Sequence, residues 1–163
     1  SPDFSEDSSS TLDTKFQPPM IDESTLALLL RITGVGMIAL AIAHRPIARR
    51  LDWKKDVKQL APTNEAIFHS HLFFLCLALV LLGTALLFDA GAFVERSRLG
   101  QWIAGMLLVF WSFRLYRQWF GFPQSLWRGK RLETRIHFVF TVIWIAVVSV
   151  FGTLFAWQMG WVG

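Results

Sequence analysis

The chain reads as an all-α integral membrane protein, a bundle of four transmembrane helices. Three observations carry that prediction. Apolar stretches at residues 25–43, 66–88, 99–119 and 136–157 each come near the ~20 residues a helix needs to cross the hydrocarbon core. None of them alternates apolar and polar residues as a barrel strand does, and open sheet edges do not survive in lipid. Composition agrees, with 53% hydrophobic and only 17% charged residues in a chain of 163. A soluble domain of that length has too small an interior to hide four such segments.

Residues 1–20 are acidic, Ser-rich and close on Pro18-Pro19, with too little apolar surface to fold alone. They are expected to form an unstructured extracytoplasmic tail of processed or vector origin, leaving residues 21–163 as one membrane domain. The first span follows Asp22-Glu23-Ser24, where acids suit the positive end of the helix dipole. Arg31 lies inside it and is expected to snorkel outward toward Asp22 or Glu23. Gly34, Gly36, Ala39, Ala41 and Ala43 offer a thin surface for close helix packing. Arg45-Pro46 should end the span. Residues 46–60 then suit a short interfacial helix, with Trp53, Val57 and Leu60 at helical spacing beside Lys/Arg residues.

The second span starts after Pro62, with Thr63 or Asn64 as its cap. It contains Cys76, the sole cysteine, which reads as a small packing residue. The third span carries Arg114, Tyr116, Arg117 and Gln118 before Gly121 and Pro123 break it. Trp102, Trp157 and Trp161 suit one aromatic belt, and Trp53, Trp119 and Trp127 the other. Trp111 and Trp144 fall deeper, as packing residues.

Charge orients the bundle. The first 25 residues hold six acids against Lys15 alone, while the connection after the first span and residues 114–135 hold six basic residues each. The positive-inside rule puts both basic connections in the cytoplasm and both termini outside, in an inner membrane of bacterial type. These basic residues flank spans and lie against anionic headgroups, so a nucleic-acid partner is excluded and the lipid bilayer is the partner they imply.

All four histidines fall at the basic end. His44 closes the first span, His69 and His71 open the second, and His137 opens the fourth. Glu65 and His69 repeat the ExxxH spacing of Glu133 and His137, and residues at i and i+4 share a helix face. His69 and His71 stand about 200° apart, so only one of them can enter a common site. On the third span Trp111, Arg114 and Gln118 form one stripe.

Four readings of this cluster stand side by side. A metal site lacks carboxylates on the first and third spans at matching depth, and no metal is expected. Haem b would take His71 and His137 as axial ligands, with Arg114 and Arg117 at its propionates. A quinone headgroup pocket would draw on His71, His137, Arg114, Tyr116 and Trp119. A structural cluster would use Glu65, His69 and Glu133 for pairing, with Glu133 set against Arg114 or Arg117. The expectation is an integral membrane subunit of a larger complex, associated with other membrane proteins and acting as a haem b or quinone anchor for electron transfer. Its rival is a scaffolding protein with no cofactor. A transporter and a metal-dependent membrane enzyme have less support, because no span is broken in its middle.

Residues 28–36, LLLRITGVG, within this layout resemble the DoxX-type membrane proteins over that one helix. The four-helix layout also resembles the haem- and quinone-binding anchors of succinate dehydrogenase type, a likeness of architecture alone.

Overall fold

The computed structural model describes residues 21–121, 123, 129 and 131–163. The acidic tail of residues 1–20, and Trp127 of the expected aromatic belt, lie outside them. Every regular element among the described residues is helical: α1 (Glu23–Arg50), α2 (Trp53–Val57), α3 (Pro62–Phe88), α4 (Ala90–Val94), α5 (Arg98–Phe120) and α6 (Arg131–Gln158). Three of them, α1, α3 and α6, are long and apolar enough to cross a membrane. Their outward surface carries large apolar side chains such as Ile42, Phe73, Phe74 and Phe138, as hydrocarbon surroundings permit.

Local chemistry sets the helix ends. The Ser97 hydroxyl caps α5 by accepting from the Gly100 N–H at 2.9 Å. Pro62 occupies the first turn of α3 with Ala61 at the N-cap, in place of the expected Thr63 or Asn64. Proline suits that turn because its missing N–H would have no helical acceptor anyway. Pro46 does not end α1, which runs on to Arg50. The chain then reverses through Asp52, whose φ of 51° is left-handed, a conformation that Asp tolerates better than most residues. The interfacial segment shortens to the five residues of α2, with Val57 buried and Trp53 edge-on to Phe68 at 5.7 Å.

The long helices pair as two antiparallel hairpins, α1 with α3 and α5 with α6. Gly34 and Gly83 bring the first pair into backbone contact. A Cβ on Gly34 would lie 2.6 Å from the Gly83 carbonyl oxygen, and one on Gly83 would lie 2.7 Å from that of Gly34. Close approach of this kind gains dispersion energy where lipid supplies no hydrophobic drive between helices. Gly36 meets nothing within 4 Å, so only one of the two glycines in that run serves packing. In the second pair, Trp111 stacks on Trp144 with centroids 5.2 Å apart, and Phe151 lies under Trp111 at 6.4 Å.

The start of α1 and the end of α6 share one end of the bundle with α4, where Glu23, Glu95 and Gly163 line a common depression. There α4 packs on all four long helices and ties the hairpins together. Toward the opposite, histidine-bearing end the hairpins part. No packed interface joins α3 to α5.

Candidate functional site

The parting of the hairpins leaves a cavity of about 740 Å³ that all four long helices line, within the range of pockets that enclose a small organic ligand. Each helix presents one stripe to it. Leu40, His44, Ile47 and Arg50 come from α1, with Leu51 just past its end, and Leu75, Ala78, Leu79 and Leu82 from α3. From α5 come Leu107, Phe110, Trp111, Arg114 and Gln118, and from α6 Glu133, Ile136, His137, Phe140 and Trp144. The spacings of three and four residues are those of a single helix face. Apolar side chains form the deep part, and the polar groups gather toward the histidine end.

A hydrogen-bonded relay crosses the α5–α6 wall. The Arg114 Nη1 donates to Gln118 Oε1 at 3.2 Å, and the Gln118 amide meets His137 Nδ1 at 3.0 Å. A guanidinium only donates, so the glutamine must turn its oxygen to Arg114 and its Nε2 to the imidazole. His137 Nδ1 is then the acceptor, and the neutral ring carries its proton on Nε2. Gln118 is 5% exposed, a buried amide whose two ends are both engaged. The Arg114 guanidinium also lies 4.5 Å over the Trp144 ring, in reach of a cation–π attraction. Among the described residues no carboxylate pairs with Arg114, and Glu133 lines the cavity without an ion pair to Arg114 or Arg117.

His44 presents the complementary chemistry. Its Nδ1 donates to the Leu40 carbonyl at 2.8 Å, and a carbonyl can only accept, so in the neutral ring Nε2 carries the lone pair. The cavity wall therefore holds an imidazole with an Nε2 proton, His137, and one with a basic Nε2, His44. The sequence places His44 at the right end but offers no sign of its direction. That depends on which face of α1 meets α3.

The other histidines take different places. His71 is exposed, with Nδ1 donating to the Ile67 carbonyl of its own helix at 2.9 Å. It lies on the stripe of Leu75 and Ala78 but one turn, about 6 Å, beyond the cavity lining. His69 sits 3.9 Å from Glu65 on the exposed start of α3. The two ExxxH pairs are thus unlike in setting, since Glu133 and His137 line the cavity while Glu65 and His69 do not. Tyr116 is exposed and packs on Phe120 at 4.8 Å, Arg117 is exposed, and neither lines the cavity. Of the residues singled out by sequence, the structure brings Arg114, His137 and Glu133 together and adds His44 and Gln118.

The described residues contain no cluster of three or more His, Cys, Asp or Glu side chains able to hold a metal ion. No family model, curated protein or solved structure matches this chain. The geometry of the cavity is what bears on function.

Proposed function

We propose that this protein is a four-span membrane subunit whose cavity binds the headgroup of a membrane-soluble quinone. The observation that carries the reading is the cavity itself, apolar in depth and bounded at one end by Arg114, Gln118, His137 and His44. That polarity gradient suits an amphiphile with carbonyl oxygens at one end. The Arg114 guanidinium supplies donors for a quinone carbonyl, with His137 beside it at the same end of the cavity, and the Nε2 lone pair of a neutral His44 accepts from a quinol hydroxyl. Haem b is disfavoured. It needs two imidazole lone pairs aimed at one iron, whereas His137 spends its Nδ1 lone pair on Gln118 and His71 stands outside the cavity.

The fourth span follows from direction. Both α3 and α6 run from the histidine end to the α4 end, so the chain has to cross back between them. The returning segment is α5, whose 23 residues extend about 34 Å at helical rise. Its Trp, Gln and Arg residues lower its hydropathy without shortening it. With four spans, the basic connections face the cytoplasm of an inner membrane of bacterial type, and both ends face outward.

Solvent extraction of protein purified in lipid nanodiscs, followed by mass spectrometry, tests the binding reading. Near-stoichiometric quinone is expected, and Arg114→Ala and His137→Ala are each expected to lose most of it at unchanged protein yield. If quinone is absent, or if both variants retain it, the reading fails and the scaffolding role stands. A Soret band in the purified protein would restore haem b. A reporter fused at Gly163 that is active in the cytoplasm would reverse the orientation.

A further inference from the structure

We infer that the cavity is entered sideways from the bilayer, through the gap between α3 and α5, and that its ligand keeps a long apolar tail in that gap. This rests on the quinone reading and adds to it the class of ligand and the route by which it loads. Two observations support it. First, α1 packs along α3 and α5 along α6, but α3 and α5 form no packed interface, so one side of the cavity has no wall of helix against helix. Second, Leu75 on α3 and Phe110 on α5 line the cavity and are 45% and 59% exposed, and the α3 liner Ala78 is exposed as well. On the α1 and α6 walls Leu40, His44, His137 and Phe140 are half-buried, with Ile136 40% exposed.

The chemistry of the gap matches that of a hydrocarbon chain. Leu75, Ala78, Leu82, Leu107 and Phe110 offer no hydrogen-bonding side chain, whereas the polar groups lie toward the histidine end on the α5–α6 and α1 walls. A ligand seated with its head at Arg114 therefore has its other end directed along apolar surface toward lipid. A tail that extends beyond the cavity can pass through the α3–α5 gap along apolar side chains, without desolvating a polar group. Ala78 is the smallest of the α3 side chains that line the cavity, so a large side chain there is expected to obstruct the gap while leaving the relay untouched.

The test compares a long-tailed ubiquinone with its tail-less dimethoxy-methyl-benzoquinone headgroup, both titrated into the full chain in nanodiscs. Ala78→Trp is expected to weaken the long-tailed compound about tenfold or more, equivalent to roughly 1.4 kcal/mol, and to leave the headgroup compound within about twofold. Leu81→Trp, an exposed position on α3 that does not line the cavity, is the control and is expected to change neither. Unchanged binding of both compounds in Ala78→Trp overturns the lateral route while leaving the headgroup site standing. Equal weakening of both also overturns it, because the effect is then not on the tail. Wild-type protein that binds neither compound sinks the quinone reading itself, and the route with it. A photo-crosslinker at Ala78 that captures a polypeptide rather than the quinone shows the gap to be a subunit interface, which likewise overturns the proposal.

Discussion

Each end of this bundle is built around one buried glutamine, and the two are used in opposite ways. At the α4 end Gln158, 2% exposed, is fully committed to backbone. Its Nε2 donates to the carbonyls of Phe93 at 2.7 Å and Glu95 at 2.8 Å, and its Oε1 accepts from the Ser97 N–H at 3.1 Å. Gln101 Nε2 donates to its carbonyl, and the neighbouring Trp157 Nε1 donates to the Val94 carbonyl at 2.8 Å. One side chain thus satisfies the end of α4 and the turn into α5, and fastens α6 to both. At the histidine end Gln118 joins only side chains, Arg114 and His137, in the wall of an open cavity. The first arrangement removes freedom, and the second orients groups toward a space. Gln158 is saturated by backbone, whereas Gln118 holds two other side chains in position beside the cavity.

Five substitutions test that contrast, in order of decreasing expected effect on stability. Gln158→Leu leaves three backbone groups without partners, at about 1–3 kcal/mol for each buried one. A total loss near 3 kcal/mol is expected in reversible unfolding in mixed micelles, and a loss below about 1 kcal/mol would mean that water already reaches the α4 turns. Gly34→Ala forces a Cβ against the Gly83 carbonyl and is expected to cost about 1–3 kcal/mol by overpacking. Gly36→Ala, in open space, is expected to stabilise by roughly 0.5–1 kcal/mol through helix propensity. Equal effects at the two glycines would refute the close α1–α3 contact.

Gln118→Leu is expected to cost only about 1 kcal/mol of stability, because its partners can turn toward the cavity, yet to weaken quinone binding about tenfold. If it unfolds the protein as Gln158→Leu does, the two ends do not differ in kind. The smallest effect is expected at Asp22. Its carboxyl is held below the ordinary carboxylate range by the hydroxyls of Ser24 and then Thr25. A depressed carboxyl stabilises the fold above its unfolded pKa, and that contribution is lost as pH falls through the lower folded value. Ser24→Ala should move the Asp22 titration upward, toward the ordinary range, as read by carbon-13 NMR, with the carboxyl still ionised at neutral pH.

Much of this arrangement is legible in the sequence, and the limit falls at identifiable residues. The apolar runs place α1, α3, α5 and α6 to within a few residues at most of their ends. Pro46 misleads because a proline near a helix end can be absorbed when its missing hydrogen bond lies close to the terminus. The stripe of Trp111, Arg114 and Gln118 is written in the spacing of α5, and the structure keeps it as one wall of the cavity. The choice of histidine is different. His71 and Leu75 share a face of α3, as the spacing of four requires, yet the cavity lining ends at Leu75, one turn short of His71. His44 enters instead, since the Gly34–Gly83 contact fixes the rotation of α1 about its own axis.

The sequence by itself determined the helices, their apolar surfaces and the gathering of cationic and imidazole groups at one end. Those properties depend on hydrophobicity and on a periodicity of 3.6, both local in the chain. Only the tertiary structure decided that α1 pairs with α3 and α5 with α6, that Gln158 closes one end, and that a space remains at the other. Those outcomes depend on which faces meet, and in a bundle whose helices are apolar nearly all round, the pattern of hydrophobic residues does not distinguish one face from the next. Small residues and a few buried amides make that choice, through contacts between positions as far apart in the chain as Gly34 and Gly83 or Ser97 and Gln158.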